Sequence, residues 1–213
     1  MKIHVLPSGP IQTNGYLLLE EEAGEALLVD APGGVLDLIR PVLEAAKCRL
    51  RELWLTHGHW DHMQDGARIR RETGAAVRAH AGDRQLIETP ELMEGFMGQR
   101  LGLEGVTVDH WIEAGDRLRA VGREFEVRHV PGHAPGNVLF YDPAGGVAFV
   151  GDALFRGGVG RADLPGGDFE TLARSIREQI YTLPDETIVL PGHGPRTTVA
   201  AEKAGNPFVP ATA

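Results

Sequence analysis

One heptapeptide constrains this chain more than any other stretch of its sequence. It follows a short apolar run, residues 53–55, and places three imidazoles and one carboxylate within six positions: Thr56-His57-Gly58-His59-Trp60-Asp61-His62. Alternate residues of an extended segment share a face, so this spacing predicts that His57 and His59 point at one centre. We expect Asp61 to continue that alternation and His62 to turn to the other side. Imidazole and carboxylate are common ligands of zinc and iron, and the heptapeptide therefore predicts a metal site rather than a polar turn of solvated histidines.

Composition narrows the class of protein in which this metal site lies. The 213 residues can bury a sizeable core, and we expect a single domain spanning residues 1–213. A formal net charge of -9 is atypical of a nucleic-acid-binding surface, which needs clustered lysine and arginine. We also find no apolar run long enough for a membrane span, no signal peptide at the amino terminus and a single cysteine, Cys48. These features predict a cytoplasmic protein with no nucleic-acid or membrane partner.

Hydrophobic patterning predicts more strands than helices. Apolar runs predict strands over residues 2–6, 16–20, 26–29, 51–56, 76–80, 108–112, 117–121, 125–130, 137–141, 147–150 and 187–190, with a turn at 7–10. Helical spacing predicts helices over residues 35–46, 65–73, 169–183 (with Asp168 as its N-cap) and 197–204, and a mostly helical segment over residues 82–102. Many of the strands are adjacent hairpins, so we expect an α+β fold in which two sheets pack together with helices outside.

Three further candidate ligands lie at the ends of other strands. His133, Asp152 and His193 each follow an apolar strand by one to three residues, as His57 does. Strand ends along one edge of a sandwich are rigid, neighbouring points, which is what a metal site needs. Pro-Gly before both His133 and His193 predicts a sharp turn that holds each imidazole at that edge.

The number of candidate ligands indicates two ions. There are seven: His57, His59, Asp61, His62, His133, Asp152 and His193. One zinc-type ion takes four or five ligands, so seven are too many for one site and about right for two. Asp152 is the one acid among the distant ligands, and a bridging position suits it. Two ions about 3.5–4 Å apart would hold a bridging water, lower its pKa and polarise a carbonyl, so hydrolysis is the chemistry that such a site performs most directly.

Two other features leave alternatives open. Asp30 follows the apolar run 27–29 and either caps a turn or orients a metal ligand. Met93, Phe96 and Met97 form a stripe at helical spacing, which is more typical of a core or a cleft wall than of a cofactor site. If the stripe lines a cleft, it suits an apolar acyl group.

The heptapeptide and the three distant ligands together resemble the metallo-β-lactamase superfamily. The likeness extends from the amino-terminal strands to His193, and the chain looks most like the short members of the glyoxalase II, or hydroxyacylglutathione hydrolase, group. Its most specific part is the glycine-rich segment 151–167, and the tail with Asn206-Pro207-Phe208 is similar to the end of these proteins. The resemblance implies an αββα sandwich of two mixed sheets, with helices on the outer faces and the metals at one edge.

This resemblance also implies how the ligands divide between two divalent ions. Zinc is the favoured metal, and iron and manganese are alternatives. One ion would be bound by His57, His59 and His133 and the other by Asp61, His62 and His193, with Asp152 bridging them. In that family a hydroxide between the ions attacks a thioester carbonyl such as that of S-lactoylglutathione, and Asp61 would be the catalytic residue that orients it. Arg161 lies where related enzymes use a basic residue for the glutathione carboxylate, and a surface arginine of the loop is the alternative.

The substrate is less constrained than the metal site. The short members of the group lack the long C-terminal helical domain that supplies much of the glutathione site in full-length glyoxalase II. A different acyl thioester or a small ester is therefore an alternative to a glutathione conjugate. We expect a small-molecule partner in either case, and a monomer or small homo-oligomer.

Other activities of the same fold are competing hypotheses. A mononuclear iron persulfide dioxygenase would use only His57, His133 and Asp152. Its last ligand tends to stand in the sequence His-Asp-Tyr, whereas this chain has His193-Gly194-Pro195, which favours hydrolysis. A lactonase-like hydrolase is a third hypothesis. β-Lactamase activity is disfavoured because a bridging aspartate is not the ligand pattern of those enzymes.

Overall fold

Two six-stranded mixed sheets lie face to face in the computed structural model, which describes residues 1–98 and 100–211 except for the side chains of Phe96 and Met97. The first sheet consists, in spatial order, of β1 (Lys2–Ser8), β2 (Thr13–Glu20), β3 (Glu25–Val29), β4 (Arg49–Trp54), β5 (Ala76–His80) and β6 (His110–Ile112). The second consists of β7 (Arg117–Ala120), β8 (Arg123–His129), β9 (Val138–Asp142), β10 (Val147–Gly151), β13 (Ile188–Pro191) and β14 (Thr197–Thr198). Two short strands between β10 and β13 in the chain form a separate hairpin: β11 (Leu154–Phe155) and β12 (Gly158–Val159).

The helices cover the outer faces of the two sheets. They are α1 (Val35–Ala46), α2 (Trp60–Met63), α3 (Gly66–Thr73), α4 (Arg84–Glu88), α5 (Glu91–Met97), α6 (Phe169–Ser175) and α7 (Val199–Gly205). A 3-10 turn at Ala81–Asp83 precedes α4, and a π-helical turn at Ile176–Ile180 continues α6. Within the described part of the chain, no helix combines the length and the apolar character needed to cross a membrane.

The side chains of β2 show how each sheet separates two layers of core. Leu18 faces the second sheet and belongs to the same cluster as Trp54, whereas Leu17 and Leu19 face the helices on the outer side. This alternation follows from the two-residue period of a strand, and both faces are apolar because both are covered. On the second sheet, Leu172 of α6 packs against the outer face in the same way. The αββα sandwich implied by the resemblance is confirmed.

Parallel strand pairs bring the candidate ligands to one edge of this sandwich. In the first sheet β3, β4 and β5 run parallel, and the heptapeptide begins just after β4. In the second sheet β10 and β13 run parallel, so Asp152 and His193 follow strand ends that lie side by side. The backbone N–H of Val138 at the start of β9 donates to the carbonyl oxygen of Thr56 at 2.8 Å and joins the two sheets at this edge.

Two predicted boundaries in the first half are wrong for local reasons. β1 continues through the predicted turn at 7–10 as far as Ser8, because an edge strand tolerates Pro7. The mostly helical segment predicted over residues 82–102 is divided between α4 and α5. Pro90 lies between these helices, where it lacks a backbone donor and restricts the residue before it.

The helix predicted over residues 169–183 differs in its second half. It begins as expected, since Asp168 Oδ1 accepts a hydrogen bond from the Thr171 backbone N–H at 2.8 Å and caps α6. From Ile176 the backbone becomes π-helical and ends at Ile180. The amphipathic pattern therefore predicts where the helix starts and which face it buries, but not its change of geometry.

Candidate metal centre

The heptapeptide leaves extended geometry at its fifth residue. α2 begins at Trp60, and the backbone N–H of His62 donates to the carbonyl oxygen of His59 at 3.0 Å. The predicted alternation is therefore wrong beyond His59, because Asp61 and His62 lie in a helical turn and not on opposite sides of a strand. Asp61 Oδ2 lies 3.3 Å from His62 Nε2, so both side chains reach the same place.

Three imidazoles form one of two groups of candidate ligands, which we call the histidine cluster: His57, His59 and His133. His59 Nδ1 lies 2.8 Å from His133 Nε2, and His133 Nε2 lies 3.2 Å from His57 Nε2. All three side chains are buried, and their donor atoms lie within 4.8 Å of one another. This spacing suits three ligands around one ion.

Asp61, His62 and His193 form the other group, which we call the mixed cluster. Asp61 Oδ2 lies 3.2 Å from His193 Nε2. Asp152 lies between the two clusters: its Oδ1 is 3.2 Å from His62 Nε2, and its Oδ2 is 3.4 Å from His193 Nε2. The same Oδ2 is 3.7 Å from His133 Nε2 of the histidine cluster. The structure thus brings all seven predicted ligands together, with Asp152 facing both clusters.

Asp30 orients one imidazole of the mixed cluster. Its Oδ2 accepts a hydrogen bond from His62 Nδ1 at 2.8 Å, which leaves His62 Nε2 facing the other ligands. Asp30 Oδ1 also accepts from the backbone N–H of Thr56 at 2.8 Å. Asp30 has a left-handed φ of 61°, which is uncommon for a residue with a Cβ and concentrates at functional sites. Of the two alternatives predicted for Asp30, the structure shows the orienting one.

Two oxygen acceptors orient the histidine cluster. His133 Nδ1 donates to the backbone carbonyl oxygen of Arg161 at 2.7 Å, so His133 Nε2 presents a lone pair to the cluster. The Thr56 hydroxyl donates to Asp30 Oδ2 at 2.8 Å, and its oxygen accepts from His57 Nδ1 at 3.1 Å. His133 and His57 are therefore each held in one tautomer, His133 by a carbonyl distant in sequence and His57 by the residue directly before it.

Two buried polar residues were not predicted from the sequence. Asp83 is 1% exposed, and its carboxylate accepts from the backbone N–H groups of Gly58 at 2.8 Å and Gly136 at 2.7 Å. Thr13 Oγ1 donates to Asp61 Oδ2 at 2.6 Å across a sequence separation of 48 residues. Asp83 follows the predicted strand 76–80 by three residues, which is the spacing that identified His133, so this signal was available for Asp83. Thr13 follows no predicted strand, and no local signal identifies it.

The imidazoles of the histidine cluster are held neutral. Burial lowers the pKa of His57 well below its ordinary value, lowers that of His59 to about 3 and also lowers that of His133. The charged form is disfavoured because buried imidazolium loses its hydration and the three rings lie beside one another. At neutral pH these three residues therefore offer unprotonated nitrogens.

The imidazoles of the mixed cluster have the opposite tendency. Burial lowers the pKa of His62, but the carboxylates of Asp61, Asp152 and Asp30 outweigh it and raise the pKa well above the ordinary value. Burial acts on His193 in the same direction, and hydrogen bonds to Asp152 and Asp61 raise its pKa to about 9. For Asp152 burial has the opposite effect and raises the pKa, but the adjacent His62 and His193 hold that pKa well below its usual range. Both carboxylates of the site are ionised and available as ligands.

Unpaired buried atoms indicate that these residues fit a divalent cation. His62 Nε2 and Asp152 Oδ1 lie 3.2 Å apart without being hydrogen bonded, and neither has another partner among the described residues. A buried polar atom without a partner costs about 1–3 kcal/mol, which a cation between the two would remove. A Cβ on Gly192 would run into Asp152 and His62, so a glycine is needed before His193. The donor set is imidazole and carboxylate, which suits a divalent metal.

A cavity of about 440 Å³ opens onto both clusters. Its polar lining consists of candidate ligands from each cluster, together with Asp152. The rest of the wall is mainly apolar and includes Trp60, Leu86, Met93, Phe155, Leu164 and Pro165. Met93 belongs to the hydrophobic core and also lines this cleft, so both alternatives predicted for it are present in the structure. The side chains of Phe96 and Met97 lie outside the described part of the chain.

Arg161 also lines this cavity, but its guanidinium is paired. Its Nε donates to Asp163 Oδ1 at 2.7 Å and its Nη2 to Asp163 Oδ2 at 2.8 Å. The two side chains are 61% and 70% exposed. An exposed ion pair contributes about 0–1 kcal/mol, so an anionic ligand can displace Asp163 at little cost.

Comparisons with known proteins agree with this arrangement. The model of a family described as "Metallo-beta-lactamase superfamily" matches residues 8–193. The chain is 37% identical to "Hydroxyacylglutathione hydrolase GloC" from Haemophilus influenzae, over 98% of both chains. Among solved structures, it is 35% identical to BLEG-1 B3 metallo-beta-lactamase, with a TM-score of 0.90 and 100% of both chains covered. It is 37% identical to TTHA1623 in a di-iron-bound form, with a TM-score of 0.84, covering 97% of this chain and 100% of the other.

Proposed function

Since this chain belongs to the metallo-beta-lactamase superfamily and is a metallo-hydrolase, we propose that it hydrolyses thioesters, with S-lactoylglutathione as the first substrate to test. The observation that carries the proposal is the convergence of two ligand clusters on Asp152 in the lining of one cavity. A full-length relative with the name hydroxyacylglutathione hydrolase supports a thioester as the substrate.

The proposed centre holds two divalent ions, one in each cluster, with Asp152 between them. Zinc is the first choice because imidazole and carboxylate are its usual ligands in hydrolases. Iron and manganese accept the same ligand types, and the similarity to a structure with two irons supports iron as an alternative. Metal analysis decides between them.

Asp61 is the proposed catalytic residue. When bound, divalent ions in the two clusters would polarise a substrate carbonyl and lower the pKa of a water at the site. The carboxylate of Asp61 lines the cavity, and the hydroxyl of Thr13 holds its Oδ2 in place. Asp61 would accept a hydrogen bond from the attacking water and orient it towards the substrate carbonyl. Thr13 would limit rotation of that carboxylate, so that it keeps one orientation during attack.

Arg161 is the proposed residue for an anionic part of the thiol. It lines the cavity beyond the ligands, and Asp163 already occupies its guanidinium with the bidentate geometry that a substrate carboxylate would adopt. A glutathione carboxylate would replace Asp163 in this pair. Because the pair is exposed, the exchange costs little and adds selectivity for anionic thiols.

One experiment tests the centre and the activity on the same sample. The purified chain should contain about two divalent ions and cleave S-lactoylglutathione, and a chelator should remove both the ions and the activity. Readdition of zinc, iron or manganese singly should then show which metal restores hydrolysis. One iron per chain, with oxygen consumption on glutathione persulfide and no thioester cleavage, would overturn the proposal.

β-Lactam hydrolysis is a second candidate function. The observation that favours it is the fold similarity to BLEG-1 B3 metallo-beta-lactamase at 35% identity. A chromogenic cephalosporin assayed with the same metal-loaded sample separates the two candidates. If its kcat/KM exceeds that of every thioester, the thioester proposal is wrong.

A further inference from the structure

The cavity beside the metal centre has two chemically different kinds of lining. One kind consists of the candidate ligands, and the other consists mainly of apolar side chains from separate segments of the chain. Trp60, Leu86 and Met93 come from α2, α4 and α5, whereas Phe155 and Leu164 come from the segment that follows Asp152. The part of a substrate that extends from the ligands along these side chains is therefore enclosed by apolar surface.

The apolar wall offers few hydrogen-bonding side chains. Among the described residues that line the cavity, the indole N–H of Trp60 is the one neutral donor of this wall, and each other polar side chain is a candidate ligand or Arg161. A hydroxyl on a bound acyl group that does not reach Trp60 would lose its water without gaining a side-chain partner, which is unfavourable. A methylene in the same place would gain from burial.

The charge of Arg161 decides which half of a thioester it binds. Arg161 is the one arginine or lysine among the described residues that line the cavity, and it suits the carboxylates of a peptide-like thiol. The acyl half carries no charge in a simple carboxylic thioester. With the thiol bound to Arg161, the uncharged acyl half is left with the apolar lining, which includes Met93 and Leu164.

One side of the wall is also held rigidly. Phe155 stands on the β11–β12 hairpin, and the buried Glu202 accepts from the backbone N–H of Gly157 in that hairpin at 3.0 Å. Asn206 Nδ2 donates to the same carboxylate at 2.8 Å and to the carbonyl oxygen of Gly158 at 3.1 Å. The C-terminal Asn-Pro-Phe segment therefore braces the hairpin that carries Phe155. A braced wall selects by shape better than a mobile one, since less order is lost on binding.

We infer that the acyl group of the preferred substrate is an unbranched apolar chain longer than lactoyl, enclosed by Trp60, Met93, Phe155 and Leu164. This inference rests on the proposed thioester activity and adds the acyl class to it. The cavity of about 440 Å³ has room for such a chain beside the ligands.

The test is a series of S-acylglutathiones assayed with the metal-loaded chain. Propanoyl, butanoyl and hexanoyl esters share one thiol, so the leaving group is constant and only the acyl length changes; S-lactoylglutathione is the hydroxylated counterpart of the propanoyl ester. The kcat/KM should rise about threefold for each added methylene, and the propanoyl ester should be cleaved faster than the lactoyl ester. A flat or falling series, with S-lactoylglutathione still cleaved, overturns the inference and leaves the proposed function standing. If the metal-loaded chain cleaves no thioester, the proposed function fails and the inference with it.

Variants locate the acyl site. Leu164→Asn should flatten the dependence on chain length, lowering the hexanoyl kcat/KM about tenfold and the lactoyl value much less. Leu92→Asn is the matched control, because Leu92 is 44% exposed on α5 beside Met93 and does not line the cavity. Met93→Gln is a second variant, on α5, in case the loop that carries Leu164 is disturbed. If both cavity variants retain the wild-type dependence on chain length, the apolar wall is not the acyl site and the inference is wrong.

Discussion

The histidine cluster and the mixed cluster use the same kind of atom in different electrostatic surroundings. In the histidine cluster three imidazoles lie beside one another, and burial keeps them unprotonated. In the mixed cluster the imidazoles lie against carboxylates, which raise the pKa of His193 to about 9 and that of His62 well above its usual value. The first cluster is therefore ready to bind a cation at neutral pH, and the second must first release protons.

The two clusters also differ in how they are held. Neutral oxygens orient the histidine cluster: the carbonyl of Arg161 and the hydroxyl of Thr56. A buried carboxylate, Asp30, orients His62 in the mixed cluster. Carboxylates surround the mixed cluster, whereas neutral groups orient the histidine cluster. We therefore expect the two ions to respond differently to pH and to changes in the surrounding residues.

The largest expected effect comes from the residue that faces both clusters. Asp152→Ala should lower kcat for the thioester by about 1,000-fold, since polarisation by metal is worth several kcal/mol and each 1.36 kcal/mol is a factor of ten. Metal analysis of the same sample should find fewer than two ions per chain. Asp142→Ala is the control, because Asp142 is also a buried aspartate but accepts from the backbone N–H of Gly145, in the turn that follows β9. Full activity and two ions in Asp152→Ala would falsify the bridging assignment.

A change of pH should separate the clusters next. A metal ion that binds at the mixed cluster displaces a proton from His193. For each proton displaced in this way, the affinity of the cluster for the ion should fall about tenfold with each pH unit below 9. The histidine cluster has no proton to lose near neutrality, because its imidazoles have lowered pKa values. Between pH 8 and pH 6 the proton on His193 alone should lower the affinity of the mixed cluster about 100-fold, and a proton on His62 adds to this loss. The histidine cluster should lose much less. Dialysis at each pH followed by metal analysis should show two ions at pH 8 and about one at pH 6. Parallel loss of both ions would show that the difference in charge between the clusters has no effect.

The same contrast shows what the sequence can predict of this site. The ligands were recognisable because each follows an apolar strand, and strand ends on one edge of a sandwich meet in space. His133, Asp152 and His193 are distant in sequence but occupy equivalent places in the strand pattern, and the structure brings them to the heptapeptide. The fold was predictable for the same reason, since alternation and apolar runs report which faces are covered.

The groups that hold the ligands were much less predictable. Asp83 accepts a hydrogen bond from Gly58, which is 25 residues away in sequence, and Thr13 donates one to Asp61, which is 48 residues away. Tertiary structure alone therefore brings each pair together. The turn into α2 was also missed, because two histidines at alternate positions suggest a strand that continues. Sequence patterns report local geometry and burial, whereas hydrogen bonds between distant loops depend on the finished packing.

Asp30 gives the next largest effect and should act on one cluster. Asp30→Asn keeps the shape of the side chain but removes the charge that orients His62. Loss of such an orienting group typically lowers metal affinity by 10- to 100-fold. We expect the ion of the mixed cluster to dissociate at lower chelator concentration, while the histidine cluster keeps its ion. Competition with a metal indicator measures both constants. Equal weakening of the two ions would mean that Asp30 supports the whole edge of the sandwich through Thr56 and not His62 alone.

The smallest expected effect separates the two roles of Arg161, whose main chain serves the histidine cluster and whose side chain faces the cavity. Arg161→Ala should leave the metal content unchanged, because His133 donates to the carbonyl oxygen and not to the guanidinium. The KM for S-lactoylglutathione should rise up to about fivefold, and Asp163→Asn should lower it by a similar factor, since removing an exposed ion pair is worth about 0–1 kcal/mol. Opposite shifts of KM with constant kcat would place a substrate carboxylate at Arg161. An unchanged KM in both variants would mean that Arg161 is a surface residue without a role in substrate binding. Loss of one ion in Arg161→Ala would show that the side chain of Arg161, as well as its main chain, supports the histidine cluster.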